Sequence, residues 1–297
     1  KTRILDAGMG QELLARGLIT KGTLWSATSL IDEKFNSLVV DTHLSSIRAG
    51  ADVILTNTFT TRRVRMVQNQ VGDLFQFANQ KACELAIKAR ELSKKNILIA
   101  GSLPAQNDTY QADKRDQNII EKDFFDQASI INPYIDFFYL DVISSGREVE
   151  VALNVIDKLN KPVLVGLHLK KNGMLPSGET ITEIVKKYKN TKWLGVVSAC
   201  VSLEIIEQTV DELKSLDIPF GFKANLWAVE EPLPVHRFNT AGYNEIGKNP
   251  NITLGKREIT GKVFCQFAKK ISKKGATILG GCCETDSSHI KELSKLK

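Results

Sequence analysis

The stretch Ala276-Thr277-Ile278-Leu279-Gly280-Gly281-Cys282-Cys283-Glu284-Thr285 runs an apolar segment into two glycines and then two adjacent cysteines. The apolar run reads as a buried strand. The glycines allow a tight backbone turn where side chains would clash, so the cysteines are expected at the carboxyl end of that strand. Adjacent cysteines rarely bond to each other, because the ring they close is strained. Two thiolates side by side suit one soft metal ion. The alternative is a pair of buried thiols packing as small hydrophobes.

Working outward from this stretch, the same strand-then-helix unit recurs through the chain. Apolar runs read as strands at 3–10, 51–59, 97–101, 137–143, 162–168, 193–199, 219–224 and 276–281. Helical patterns follow at 11–16, 32–48, 73–93, 121–131, 147–159, 181–189, 203–216, 258–274 and 287–296. Helix 73–93 is expected to bury Leu74, Phe77, Ala78, Leu85 and Ala89 on one face. The strands are continuous apolar runs, as in a parallel sheet covered on both faces. Eight such units in 297 residues predict an α/β fold, a (β/α)8 TIM barrel forming a single domain over 1–297. A doubly wound open sheet is the alternative, but the first strand lacks the Gly-x-Gly-x-x-Gly turn of its commonest version. One long irregular stretch, 226–256, interrupts the rhythm, and loops of that length inside a compact domain are usually functional.

Composition narrows the function classes. The chain is 42% hydrophobic and 25% charged, which is ordinary for a globular protein. No run reaches the apolar length of a membrane helix. The five cysteines are irregularly spaced and form no disulfide framework, which points to a reducing cytoplasm. The net charge of +6 comes from lysines spread over helical surfaces and the C-terminal tail. With no basic block interleaved with aromatics, a nucleic-acid partner is not expected. A homo-oligomer remains open.

In a barrel the carboxyl ends of the strands converge on one face, and chemistry is placed there. Those ends carry Asp6, Thr56, Asn57, Asp141, His168, Cys200, Asn225, Cys282 and Cys283. Three cysteines far apart in sequence are therefore expected to meet. Three thiolates suit Zn²⁺ and leave a fourth position for water or substrate. Cys83 and Cys265 lie on amphipathic helices and read as packing residues, and His168 reads as structural. Trp25, in the loop after the first unit, is either core or a cap on the pocket. A redox protein would favour Cys-x-x-Cys, which is absent. A zinc-binding barrel without turnover is the other rival.

These residues resemble the zinc-dependent homocysteine S-methyltransferases over essentially the whole chain. Leu5-Asp6-Ala7-Gly8-Met9-Gly10 is similar to the family's N-terminal Asp-Gly-Gly-Met-Gly motif, with Ala7 in place of a glycine. Ala49 to Phe59 matches its second-strand motif, and Gly280-Gly281-Cys282-Cys283 its C-terminal zinc motif. Glu284-Thr285 stands where Gly-Thr is commoner. Gly195 to Cys200 resembles the strand carrying the third zinc cysteine, with Ala199 where Asn is usual. The resemblance implies a (β/α)8 barrel and zinc held by Cys200, Cys282 and Cys283. It implies L-homocysteine as acceptor, its ammonium held at Asp6 and Asp141, the latter where the family has Glu. Ala7, Thr56, Asn57 and Asn225 are expected to line the substrate site. Betaine-using members carry a Trp where this chain has Trp25 and a Tyr where it has Thr60.

The implied reaction moves a methyl group from a small onium donor to the homocysteine thiol, giving methionine. Betaine, S-methylmethionine and dimethylsulfoniopropionate are the candidate donors, and Trp25 is expected to face the cation. Thr60 in place of Tyr favours a sulfonium. A cobalamin or folate methyl carrier is the alternative within the enzyme class, and no second domain for one is visible.

Overall fold

The computed structural model describes residues 1–297. The apolar runs pair as eight parallel strands: β1 Arg3–Ile4, β2 Val53–Leu55, β3 Leu98–Pro104, β4 Phe137–Ile143, β5 Val163–Leu167, β6 Trp193–Val201, β7 Phe220–Ala224 and β8 Ile278–Gly281. Their order is β1-β8-β7-β6-β5-β4-β3-β2. The two edges meet at a parallel bridge between Leu5 and Val53. Carboxylates complete this seam. Asp52 Oδ2 accepts from the Ile4 N–H at 2.8 Å, and Asp6 Oδ2 accepts from the Leu55 N–H at 2.7 Å. Two strands of two and three residues thus close a barrel with few ladder bonds.

Alternation along each strand sorts its side chains into two layers. Ile4, Ile54, Ile99, Phe138 and Leu279 pack outward under the helices. Leu5, Val53, Leu55, Ala100, Phe137, Tyr139 and Ile278 fill the barrel interior. Six of the helices begin on capping side chains, which satisfy amides the helix cannot. Asp116, Ser145, Thr180, Ser202, Thr260 and Asp286 each accept from a first-turn N–H.

The expected (β/α)8 barrel is observed, with element ends that differ in detail. The second strand spans only Val53–Leu55, because the chain beyond Leu55 turns into a loop whose Thr and Asn side chains bond locally. The helix expected at 73–93 runs over Phe75–Ser93 after a 3-10 turn, Gly72–Leu74. Phe75 is buried on its inner face, whereas Phe77 is 41% exposed, contrary to expectation. Cys83 is buried as expected, while Cys265 is half-buried and its Sγ donates to the Glu292 carbonyl. The stretch 226–256 folds back over the barrel mouth, bridging Ile246 to Lys21 and Trp227 to Lys256. No helix is long and apolar enough to cross a membrane.

Candidate metal centre and substrate pocket

Each of the three cysteines is placed by a local departure from regular backbone. Cys200 sits on β6 where the register to β7 shifts between Ala199 and Val201. Its φ of 53° is in the left-handed region, which a non-glycine residue adopts only when the surroundings impose it. A bulge re-aims one side chain out of the alternation, and here it turns the thiol toward the mouth. Cys282 and Cys283 follow β8, and Glu284 after them also has positive φ. Gly8 makes room for this turn, since a Cβ there would stand 2.2 Å from the Cys282 carbonyl oxygen.

The result is a cluster of Cys200, Cys282 and Cys283 whose sulfur atoms all lie within 4.8 Å of one another. Cys200 Sγ and Cys283 Sγ are 3.7 Å apart. Zinc–sulfur bonds near 2.3 Å at tetrahedral angles place sulfurs about 3.8 Å apart, which the Cys200–Cys283 pair matches and the cluster as a whole approaches. His168 is not part of the cluster. It is buried, stacks against Tyr110 with ring centroids 4.6 Å apart, and burial drops its pKa to about 4. The electrostatics also favour a cation. Burial opposes ionisation of Cys200, but hydrogen bonds from Cys282, Cys283 and Tyr110 outweigh it and pull the thiol well below its usual value. Cys282 and Cys283 are pushed up, first because they give those bonds to Cys200. Three thiols this close together ionise jointly only with a cation among them, because each negative charge opposes the next.

A cavity opens from the cysteines to the barrel mouth. Asp6, Ala7, Trp25, Thr56, Asn57, Asp141 and all three cysteines line it. Asn225 does not. Its amide donates to the Cys200 carbonyl at 2.6 Å and accepts from the Trp227 N–H at 3.2 Å, so it braces the bulge from behind. Asp6 also differs from expectation. Both its oxygens are taken, one by the Leu55 amide and one by Lys223 Nζ at 2.7 Å. Asp141 keeps a free oxygen: Oδ2 accepts from Ser102 Oγ at 2.7 Å, and Oδ1 makes no bond within the fold. Burial, then the negative charge of Cys282, pushes the Asp141 carboxyl up to about 7. Val142 beside it has φ 61° at a register shift in β4, so this strand end is bent as β6 is.

Trp25 packs flat against Gly10, where a Cβ would meet its ring at 2.3 Å. Its Nε1 donates to Gln11 Oε1 at 3.1 Å, and Phe59 stands edge-on at 6.4 Å. Thr60 is buried beneath this loop, accepting from the Ala27 N–H at 3.0 Å.

The lining residues that escaped the sequence reading include Lys223, Tyr110, Arg62 and Arg65. Lys223 carried a signal, since a lysine inside a run that reads as a buried strand requires a partner. Burial opposes its charge, but Asp6, then Cys282, raise its pKa. Tyr110, whose hydroxyl lies 3.2 Å from Cys200 Sγ, comes from a polar loop with no periodicity to mark it.

The sequence model of the homocysteine S-methyltransferase family matches residues 3–296. The chain belongs to that family. As a homocysteine S-methyltransferase family member it is a methyltransferase-class enzyme. It is 26% identical over 300 residues to betaine–homocysteine S-methyltransferase 1 of Danio rerio, covering 98% of this chain and 71% of that protein. Homocysteine S-methyltransferase 2 of Saccharomyces cerevisiae is 23% identical over 329 residues, covering 99% and 93%. Among solved structures, the metallated homocysteine methyltransferase MmuM from Escherichia coli superposes with a TM-score of 0.78 at 19% identity, covering 100% and 96%. That likeness fixes the family's barrel as the fold of this chain.

Proposed function

We propose that this homocysteine S-methyltransferase family member moves a methyl group from a small sulfonium donor to the thiol of L-homocysteine, yielding methionine, with Zn²⁺ held by Cys200, Cys282 and Cys283. The observation that carries this reading is the spacing of the three sulfurs at the floor of a cavity that also presents an unpaired carboxylate oxygen of Asp141. The ion would supply the charge that turns a thiol at its fourth position into a thiolate at neutral pH.

The chain's own residues bind and orient the substrates. Asp141 Oδ1 accepts from the homocysteine ammonium, and the Ser102 hydroxyl holds that carboxylate in place. The Ala7 N–H makes no bond within the fold, and in this reading it donates to the homocysteine carboxylate. Asp6 acts indirectly, fixing the barrel seam and Lys223 rather than touching the ammonium. Lys223 offsets part of the negative charge of the cysteines and acids. Trp25 offers an indole face to the onium group, a contact worth about 0.5 to 2 kcal/mol. That strength suits a donor that loses its charge in the transition state, because strong anionic contacts would hold the ground state back. Transfer requires donor and acceptor in line, and confining both to one cavity supplies much of the rate through positioning.

Thr60 lines the cavity with its hydroxyl bonded to the Ala27 N–H and adds no ring to the wall that Trp25 and Phe59 form, and this supports a softer sulfonium over betaine. The test is methionine formation from homocysteine with S-methylmethionine, dimethylsulfoniopropionate and betaine at equal concentration. A sulfonium is expected to be fastest. Betaine being clearly faster overturns the donor assignment, and no methionine from any of the three overturns the reaction.

A further inference from the structure

Two arginines line the cavity beyond the aromatic wall, and neither belongs to the chemistry above. Arg62 is 1% exposed. Its Nη1 donates to the Ala105 carbonyl at 2.7 Å and its Nη2 to Thr109 Oγ1 at 3.1 Å, while its Nε is buried without a partner. Arg65, one turn on in the helix Arg63–Gln68, is 5% exposed. Its guanidinium makes no hydrogen bond and no ion pair within the chain, and its Nε is likewise buried and unpaired. Its carboxylate neighbour Asp108 is already engaged, accepting from the Thr109 N–H at 2.9 Å and meeting His236 Nδ1 at 2.5 Å. Two buried guanidiniums therefore face one committed carboxylate. Burial, followed by repulsion from Arg65, drops the Arg62 guanidinium to about 9. A buried charge without a partner is costly, and buried polar groups in native proteins are satisfied by something. An anion entering the cavity would satisfy them.

We propose that Arg62 and Arg65 hold the carboxylate of the methyl donor. The inference rests on the reading of the function given above and names the residues that bind the donor's acid end. The order of groups along the wall supports it. Trp25 meets Phe59 at 6.4 Å, and Phe59 lies under the Arg62 guanidinium at 5.4 Å. An onium group on the indole therefore leaves its acid end beside the guanidiniums, within reach of a short chain. Planar guanidinium forks match carboxylates in a bidentate way that a point charge does not. Homocysteine carries a carboxylate too, but the reading above gives that group the free Ala7 N–H.

The test compares dimethylsulfoniopropionate with its methyl ester, which keeps the sulfonium and loses the anion. Wild-type protein should use the acid at least tenfold better in kcat/KM. Arg65→Gln should lower that value for the acid by about 10- to 100-fold, leave the ester unchanged, and leave the KM for homocysteine unchanged. Arg65→Lys, which keeps the charge and loses the fork, should fall between them. Acid and ester used equally well by the wild type, or an Arg65→Gln effect equal on both, overturns the clamp. A change confined to the KM for homocysteine reassigns the arginines to the acceptor and also overturns it. A binding arm separates this inference from the reaction itself. Titration calorimetry with 3-(methylthio)propionate, the demethylated acid, should show binding to wild type that weakens at least tenfold in Arg65→Gln. Equal binding refutes the clamp even if methionine forms, and weakened binding without any methionine leaves the clamp standing while the methyl transfer falls.

Discussion

Replacing Asp141 by Ala tests how the acceptor is recognised. The carboxylate is buried, its Oδ2 tied to Ser102 Oγ at 2.7 Å and its Oδ1 free toward the cavity. A charge-assisted hydrogen bond to an ammonium contributes about 1.5 to 3 kcal/mol, which converts to a roughly 10- to 150-fold loss in homocysteine affinity. The fold should tolerate the change. Burial and the neighbouring Cys282 push this carboxyl up to about 7, so its charge is a cost to the free protein rather than a support. Metal content should stay normal, because Asp141 is not among the clustered ligands. The assay is the KM for homocysteine and for 4-mercaptobutyrate, which lacks the amino group, in wild type and Asp141→Ala. If Asp141 holds the ammonium, the mutation penalises homocysteine and spares the desamino thiol, and the coupling between the two changes isolates the contact. Equal penalties for both thiols, or none for either, refute the assignment. Asp141→Glu then asks whether the longer carboxylate reaches the ammonium better.

Three further outcomes are expected. Cys200→Ser, Cys282→Ser and Cys283→Ser should each lose bound zinc and activity together, whereas Cys83→Ser, in the helical layer, should keep its metal as measured by plasma mass spectrometry. Trp25→Leu should weaken the donor by about 0.5 to 2 kcal/mol, a few-fold to thirty-fold in its KM, with little change for homocysteine. Glu148 provides a pH test, since burial pushes its carboxyl up to about 7 and its Oε1 is unpaired. The folded state holds this proton more tightly than the unfolded one. Its contribution is therefore whole below about 4.5 and is lost as pH rises through about 7, an effect of about 3 kcal/mol. Glu148→Gln should match wild type in urea midpoint at pH 5 and exceed it at pH 8, and an identical difference at both pH values would contradict this.

Much of this was legible because strand ends in a barrel are forced together by topology. Once the apolar runs at 193–199 and 276–281 are read as strands, Cys200, Cys282 and Cys283 must share one face. What the pattern did not carry is local backbone geometry. The bulge at Cys200 and the left-handed Val142 have no glycine to announce them, because tertiary packing imposes those conformations. A polar strand end is expected to face substrate, and Asp6 does line the cavity, although both its oxygens also bond the fold, one to the seam amide and one to Lys223. Asn225 lies behind the cavity, bonded to the bulged carbonyl. Phe77 was placed inside on helical period, but the 3-10 turn before Phe75 fixes the rotation of that helix and leaves Phe77 outside. Arg62 and Arg65 carry no mark in the sequence, because the short helix that holds them follows no apolar period. Only the returning loop 226–256 and the loop carrying Asp108 bury them.

The central claim is that three cysteine sulfurs hold zinc and leave one position for the sulfur of homocysteine. X-ray absorption at the zinc edge, on the zinc-loaded protein before and after adding homocysteine, tests it most directly. The account predicts that three sulfur neighbours at about 2.3 Å become four when homocysteine is added. A sulfur count that stays the same on addition of homocysteine would contradict it.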